Sequence, residues 1–466
     1  MADSARAAIA VNRYGLGARP GELLHAGEDP EGWLGAQLAA SPPRVAGAGL
    51  RAAADILSQA LELRRERRAA RAGDAPASAD AAVVMKIGQL FRPIYVDEAT
   101  ARIRTALATD RPFLEHLTYF WTNHFAVSVD KVAVLGVAGS FEREAIRPRV
   151  LGSFADLLLA STHHPAMLLY LDNQTSVGPN SLLAQRAERR ASERRLGINE
   201  NLAREILELH TLGVAGGYTQ KDVTSFAEVL TGWSIGAQFG RLPGGVPGQF
   251  TFRPEMHEPG AKSVLGKRYA DDGVGQAVAV LQDLARHPAT AHFIATKLAR
   301  HFIADEPPPQ AVEHLQRVFL DSSGDLPSVY RALIRLKESW TQAFSKFKTP
   351  GEYIVSSLRG LEIPDDYAPK AFASFALLGQ RIYAPGSPAG WPDRGADWDG
   401  ASAVMKRIEW ADALSQKLGS HRDAASLAPQ WLGAGMSTAT HASIARAASA
   451  SQALTLLLTA PEFMRR

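Results

Sequence analysis

Apolar residues recur at intervals of three and four along most of the chain, the spacing that places them on one face of an α-helix. Alanine, leucine and arginine, which favour helices, are abundant in the same stretches. Strand-like alternation is rare, and its clearest example is QFTFR at 249–253, which we expect to pair with SVLGKRY at 263–269. The pattern therefore predicts a mainly α fold: a multi-helix bundle of orthogonal and antiparallel helices, with a small β hairpin near 249–269.

Stretches rich in proline and glycine interrupt the helical pattern and indicate three parts. The flexible connection RAGDAPASADAA lies at 71–82, and DEPPPQ at 305–310 separates two helices. A third stretch, YAPGSPAGWPDRGADW at 383–398, is too aromatic for a mere linker, and we call it the GWP loop. The predicted division is an N-terminal helical segment with its linker at 1–83, a central motif-bearing helical domain at 84–304, and a C-terminal helical domain with the GWP loop at 305–466.

Composition and motifs remove support for several classes of function. The chain has 51 Lys and Arg against 48 Asp and Glu, an excess too diffuse to indicate nucleic-acid binding. The basic run AQRAERRASERR at 184–195 lacks interleaved aromatic residues, so we interpret it as a solvated excursion, with a polyanion-binding patch as the alternative. The absence of cysteine excludes disulfides, iron–sulfur clusters and Cys-based zinc sites. The chain also lacks HExxH, GxxxxGK[ST] and GxSxG motifs, and no GxGxxG opens a βα unit, so no nucleotide-binding motif is present.

The N-terminal stretch MADSARAAIAVNRYGLGARPGE lacks a basic start followed by a long apolar run, so no secretory signal is expected. No segment approaches the ~18 continuous apolar residues of a membrane-spanning helix. We therefore expect a soluble protein without a membrane span, cytoplasmic by default.

The stretch GINENLAREILELHTLGV at 197–214 concentrates polar side chains in one predicted helix. At about 100° per residue, one arc of this helix is apolar and the other carries Glu200, Asn201, Arg204, Glu205 and Glu208. The opposite charges at i,i+4 are typical of a solvated face. If the carboxylates instead converge in a cleft, one with a raised pKa can serve as an acid, while Arg204 holds another ionised.

Histidines mark further candidate positions. His116 and His124 share an apolar helical stripe, which indicates the core or a pocket wall, although two helical turns are a long spacing for ligands of one metal ion. His257 and Lys262 lie in a predicted loop, where they could bracket an anionic group or be exposed. Further along, Lys297 and His301 fall on one helical face at i,i+4.

An ordered set of short motifs resembles the bacterial domain of unknown function 1800 family (DUF1800) over nearly the whole chain. The motifs are NRYGLGARPGE, FWTNHF, YLDN, NENLAREILELHTLG, YTQKDV, LTGW, HEPGAKSVLG, KLARHF, KTPGEYIVSSLR and GWPDRGADW. Each motif alone is weak, whereas the ordered set is highly specific. The family label carries no established reaction.

The resemblance has implications for the site and for partners. It implies that the family's polar motif positions fall at His124, Asn173, Asn199, Glu200, Asn201, Arg204, Glu205, Glu208 and His257. Members of the family are often encoded beside exported sulfatase-like proteins. Such a neighbour is therefore the expected partner, and co-export with it to the periplasm is the alternative location.

From these residues we predict an enzyme: a hydrolase or lyase that uses general acid–base or metal-assisted chemistry on a sugar-like or envelope-related substrate. The predicted catalytic residues are Glu205, Glu208, Arg204, His124 and His257. The predicted substrate-binding residues are Asn173, Asn199, Glu200, Asn201, Lys262, Trp233 and Trp391. A divalent metal held by His and Glu is the cofactor considered, without assigned ligands. The alternative is a non-catalytic partner or maturation factor for the sulfatase-like neighbour, in which the polar cluster is a satisfied buried network.

Overall fold

The computed structural model describes residues 2–39, 41–42, 44–45, 47, 49–71, 78–189, 196–237, 244–341, 343–418 and 421–466. These residues form 22 α-helices and two small antiparallel β-sheets, which confirms the predicted mainly α class. Residues 72–77 of the predicted flexible connection and residues 190–195 of the basic run lie outside the described residues.

Helices account for most of the described chain. The α-helices are Ala2–Ile9, Glu22–Glu28, Pro30–Gln37, Ala53–Arg71, Ser78–Ala108, Pro112–His124, Ala138–Phe141, Phe154–His163, Pro165–Tyr170, Leu182–Arg189, Asn201–Glu205, Gln220–Val229, Val274–Ala285, Pro288–Phe302, Pro309–Asp321, Leu326–Arg335, Pro350–Gly360, Ala368–Leu377, Ala401–Leu418, Ala424–Leu432, Thr438–Ala445 and Ala450–Leu458. Three further segments are π-helical: Ala10–Tyr14, Glu142–Ile146 and Ile206–Thr211.

Local sequence signals explain where several helices begin. Thr219 and Thr349 each open a capping box, with Asp222 and Glu352 three residues later. The T-x-x-D spacing of Thr219 and Asp222 is one of the sequence patterns typical of such a box. Pro288 stands in the first turn of its helix, where the missing N–H would have no intrahelical partner.

The β structure is small, and its pairing differs from the prediction. The strands are β1 (Trp233–Ile235), β2 (Phe250–Phe252), β3 (Lys262–Val264) and β4 (Lys267–Tyr269). β1 pairs with β2 and β3 pairs with β4, so the expected pairing of 249–253 with 263–269 is wrong. Leu265 and Gly266 have φ values of 50° and 75°. Positive φ at both central residues is the requirement of a type I′ turn, so the chain reverses at once and β3 pairs with the strand that follows it.

One hydrophobic cluster includes residues of all three predicted parts of the chain. Helix Pro288–Phe302 packs against Pro309–Asp321, and helix Pro350–Gly360 packs against Ser78–Ala108, which itself runs through the predicted boundary at 83. The three-part division stays a prediction. No helix among the described residues has both the length and the hydropathy to cross a bilayer.

His163 makes the stability of the fold depend on pH. The centroid of its ring lies 4.4 Å from that of Trp233 and 4.2 Å from that of Phe250, and burial lowers its pKa from 6.5 to about 4. The folded protein therefore keeps this ring neutral, while the unfolded chain binds a proton below pH 6.5. Its contribution to stability is complete above that pH and is lost as the pH falls towards 4.

Lowering the pH from about 7.5 to about 5 should reduce the free energy of unfolding of both proteins. We expect the reduction to be about 2 kcal/mol larger for the wild type than for His163→Phe. Urea unfolding at the two pH values measures the difference. His421→Phe, which replaces an exposed histidine, is the control and should behave as the wild type does. Equal losses in wild type and His163→Phe would contradict this role.

Candidate functional site

A cavity of about 370 Å³ lies between helices Pro112–His124, Pro288–Phe302 and Pro350–Gly360 and the GWP loop. Its wall combines aromatic rings, such as Phe120 and Trp391, with ionisable side chains. A mixed lining of apolar surface and a few convergent polar groups is typical of a binding site for a small molecule.

Two histidines meet ring to ring in this cavity. His116 Nε2 and His301 Nε2 are 2.9 Å apart. His116 Nδ1 lies 3.0 Å from the carbonyl oxygen of Tyr14, and His301 Nδ1 lies 2.8 Å from Asp393 Oδ1. Carbonyl and carboxylate oxygens only accept, so each Nδ1 carries a hydrogen and donates it. In neutral rings both Nε2 atoms then present lone pairs to each other, an arrangement that either a shared proton or a metal ion between them relieves.

Glu352 brings a carboxylate to the same point. Its Oε1 lies 3.2 Å from His116 Nε2, and the potential ligand atoms of His116, His301 and Glu352 all lie within 4.8 Å of one another. The Nδ1 hydrogen bonds to a backbone carbonyl and to a carboxylate are the outer-shell contacts that orient histidine ligands in metal sites. We call these three residues the triad.

Arg466 holds the carboxylates of the site. Its Nε lies 2.9 Å from Glu352 Oε1, its Nη2 lies 3.9 Å from Asp393 Oδ1, and its Nη1 donates to the carbonyl of His301 at 2.9 Å. Burial alone would raise the pKa of Glu352, but Arg466 and the neighbouring histidines hold that pKa well below its usual range. Burial likewise opposes ionisation of Asp393, yet His301 and the nearby cations lower its pKa to about 2. Both carboxylates are therefore ionised at neutral pH.

The backbone that carries the triad is fixed by local structure. Glu352 is the third residue of its helix, and its Oε2 accepts from the N–H of the capping residue Thr349 at 2.8 Å.

In the GWP loop, Trp391 N donates to Asn123 Oδ1 at 2.7 Å, and Asn123 Nδ2 donates to the Trp391 carbonyl at 2.9 Å. This approach requires Gly390, since a Cβ there would lie 2.4 Å from the carbonyl oxygen of Asn123. The loop is thus held at a fixed distance from the helix of His116.

All three π-helical segments contribute a group beside the cavity. Tyr14 ends the first, and its carbonyl accepts from His116. Glu142 begins the second and binds Tyr383, which lines the cavity. His210 lies in the third, and its carbonyl is 3.1 Å from Nε2 of the cavity residue His124. Single π turns within helices are frequent at functional sites, which fits the position of these three.

A buried ion network lies behind Arg102 and Tyr383, two residues that line the cavity. Arg147 binds Glu115 at 2.5 Å and Glu142 at 2.6 Å, and Arg102 lies 2.9 Å from Glu142. Burial would raise the pKa of Glu142, but the two guanidinium groups lower it. Two cations therefore balance two anions within the network.

The model of the family described as protein of unknown function DUF1800 matches residues 9–465, nearly the whole chain. The chain belongs to the DUF1800 family. No curated protein and no solved structure gives a significant match to it.

The DUF1800 structure places two of the predicted site residues, His124 and Trp391, in the wall of the cavity. His124 is buried, and its pKa lies well below 6.5 because of burial, the charge of Lys297 and the neighbouring His210. It is therefore neutral, and since its Nε2 donates to the His210 carbonyl, its Nδ1 is an acceptor.

No residue of the polar helix at 200–211 lines the cavity, although the carbonyl of His210 contacts the cavity residue His124. Arg204 pairs with Glu200 at 3.0 Å in an exposed network that also includes Gln220. Glu205 is half-buried, and burial followed by the charge of Glu208 raises its pKa. Glu208 accepts a hydrogen bond from Tyr218 Oη at 3.2 Å. Asn199 Oδ1 accepts from the N–H of Asn201 at 2.9 Å.

Four other predicted residues lie around the β structure, outside the cavity lining. Asn173 is buried and donates to the carbonyls of Leu230 and Trp233, and Trp233 itself is fully buried. His257 Nδ1 lies 3.0 Å from the Thr231 carbonyl. Lys262 is bound by the carbonyl oxygens of its own loop, at Glu258, Pro259 and Gly260.

Sequence reasoning missed Glu352, Asp393 and Arg466, although signals for the first two existed. Glu352 lies in the DUF1800 motif KTPGEYIVSSLR, where its capping role conceals a second function, and Asp393 lies in GWPDRGADW. His301 was recognised only as a face-sharing neighbour of Lys297. Nothing in the sequence around Arg466 indicated its contact with the triad.

Proposed function

We propose that the protein is a metal-assisted hydrolase whose reaction centre is the triad of His116, His301 and Glu352. The observation that carries the proposal is the convergence of two Nε2 lone pairs and one carboxylate, with both Nδ1 hydrogens committed elsewhere. Two histidines and one carboxylate are a common ligand set for catalytic zinc, and three protein ligands leave a coordination position for water or substrate.

The donor set suits a divalent ion such as zinc, since imidazole and carboxylate ligands both bind it well. A bound ion would activate a water molecule as nucleophile near neutral pH and polarise the bond under attack. The residues of the chain do the positioning: Tyr14 and Asp393 fix the two imidazoles, and Arg466 keeps the Glu352 carboxylate charged.

Accessible surface favours this enzyme over a non-catalytic partner of a sulfatase-like neighbour. The side chains of His301, Glu352 and Asp393 are 12, 14 and 24% exposed although their helices and loop pack into the core. A polar network with a purely structural role would gain stability from complete burial of its side chains.

Phe120 and Trp391 in the cavity wall suit a ring-bearing substrate, including the predicted sugar-like class.

Matched Glu→Gln variants test which carboxylate carries the reaction. The protein is assayed with a panel of nitrophenyl esters, phosphate mono- and diesters and glycosides. For the class that is hydrolysed, we expect Glu352→Gln to lower kcat/KM by more than about 100-fold, because it removes a charged metal ligand. Glu205→Gln should stay within about threefold of wild type, because Glu205 lies outside the cavity lining.

The reverse result, with Glu205→Gln inactive and Glu352→Gln active, would contradict this proposal and assign the reaction to the helix at 200–211. Circular dichroism and thermal unfolding of both variants show whether each is folded. Gln at position 352 can still accept the capping hydrogen bond from Thr349, but it removes a charge that the buried Arg466 binds, so we expect a folded variant with a lower free energy of unfolding.

A further inference from the structure

Lys297 brings a positive charge into the same cavity. It lies four residues before His301 in helix Pro288–Phe302, so the two side chains share a face one helical turn apart. Both line the cavity, and part of the surface of Lys297 stays accessible within it. The ammonium group of Lys297 and the triad therefore face the same cavity.

Among the described residues, no carboxylate or carbonyl lies within ion-pair or hydrogen-bond distance of the Lys297 ammonium group, which lies 5.6 Å from the centroid of the Phe293 ring. The other cations that line the cavity are engaged: Arg102 with Glu142 at 2.9 Å, Arg381 with Asp130 at 2.8 Å, Arg394 with Glu306 at 3.0 Å, and Arg300 with the Asp305 carbonyl at 3.3 Å. Lys297 differs from all four in this respect.

The nearest carboxylate cannot neutralise Lys297. Asp393 raises the pKa of this lysine, but its Oδ1 is bound to His301 at 2.8 Å and lies 3.9 Å from Arg466. Burial, opposed by Asp393, lowers the pKa of Lys297 to about 8, so the amine is mostly protonated at neutral pH. An unpaired ammonium in such a place costs free energy, which an anionic ligand would offset.

His124 adds a second unsatisfied group to this part of the cavity. Its Nδ1 has no hydrogen-bond partner among the described residues, although the side chain is only 1% exposed. As an acceptor beside a cation, it can take a hydrogen from a hydroxyl or from a protonated phosphate. Together, Lys297 and His124 present one positive charge and one acceptor.

We propose that the substrate carries a compact oxyanion, a phosphate or a carboxylate, which pairs with the Lys297 ammonium group while the bond to be cleaved lies at the triad. The position of the bond rests on the proposed function, whereas the binding of the anion does not. The cavity volume of about 370 Å³ limits the bound part of the substrate to the size of a small metabolite.

Anion binding to the full chain as purified tests this proposal. Inorganic phosphate and acetate are titrated by calorimetry into wild type, Lys297→Met and Lys221→Met. Lys221 is exposed, so its variant carries the same change of net charge away from the cavity. We expect the Kd of the preferred anion to rise at least tenfold in Lys297→Met and to stay within twofold of wild type in Lys221→Met.

A thermal unfolding measurement separates this role from a structural one. Because Lys297 has no partner to leave behind, Lys297→Met should unfold at the same temperature as wild type or at a higher one. No saturable binding of either anion to wild type, or equal Kd values in the two variants, would overturn the proposal. Failure of the hydrolase assay with intact anion binding would instead reject the reaction and keep the oxyanion site.

Discussion

His301→Ala is expected to lose stoichiometric binding of zinc and to be inactive. Removing an outer-shell partner of a metal ligand already costs about 10–100-fold in affinity, so removing a ligand should cost more than about 100-fold. The loss follows from the geometry, since His301 Nε2 is one of the two Nε2 atoms that converge beside the Glu352 carboxylate. Competition with a chromophoric zinc chelator measures the affinity, and elemental analysis measures the bound amount.

His292→Ala is the matched control for this prediction. His292 lies on the same helix but is exposed, and its Nδ1 contacts Gln316 at 3.0 Å. Zinc affinity should be unchanged in this variant. Equal zinc affinity in His301→Ala and His292→Ala would show that zinc binds elsewhere on the protein.

Glu142→Gln is expected to lower the free energy of unfolding by on the order of 3–5 kcal/mol, because breaking a buried ion pair leaves an uncompensated charge. Glu142 is fully buried between Arg102 and Arg147, and its Oε2 also accepts from Tyr383 Oη at 3.1 Å. The neutral amide cannot balance two guanidinium groups. Denaturant unfolding at neutral pH measures the change.

Glu313→Gln provides the comparison for that measurement. Glu313 is exposed, so its replacement should change the free energy of unfolding by less than about 0.5 kcal/mol. A loss below about 1 kcal/mol in Glu142→Gln would mean that the arginines find other partners, and that the ion network does not support the cavity residues Arg102 and Tyr383.

The sequence was informative wherever local patterns determine structure. Apolar spacing predicted the mainly α class, and the T-x-x-D pattern of Thr219 and Asp222 is typical of the capping box that the structure shows there. The prediction of strand pairing was wrong because β3 and β4 join through a two-residue turn with positive φ at Leu265. Leucine rarely adopts positive φ, so the sequence gives no turn signal at this position. Composition likewise gave no sign of the π-helical segment at Ile206–Thr211.

The site was harder to predict because its members are distant in sequence. His116 was considered with His124, two turns away, whereas its Nε2 meets that of His301, 185 residues further along. The conspicuous helix at 200–211 attracted attention by its charge density, yet Glu200 and Arg204 are exposed at 33 and 40%. Spacing along a helix shows which side chains share a face, but not which face another segment covers.

The central claim is that the triad holds a metal ion. X-ray diffraction at the zinc absorption edge, from crystals of the protein grown with zinc, tests it most directly. We expect one strong anomalous peak about 2.0–2.2 Å from His116 Nε2, His301 Nε2 and a carboxylate oxygen of Glu352. No peak there, with the two Nε2 atoms still 2.9 Å apart and sharing a proton, would contradict it.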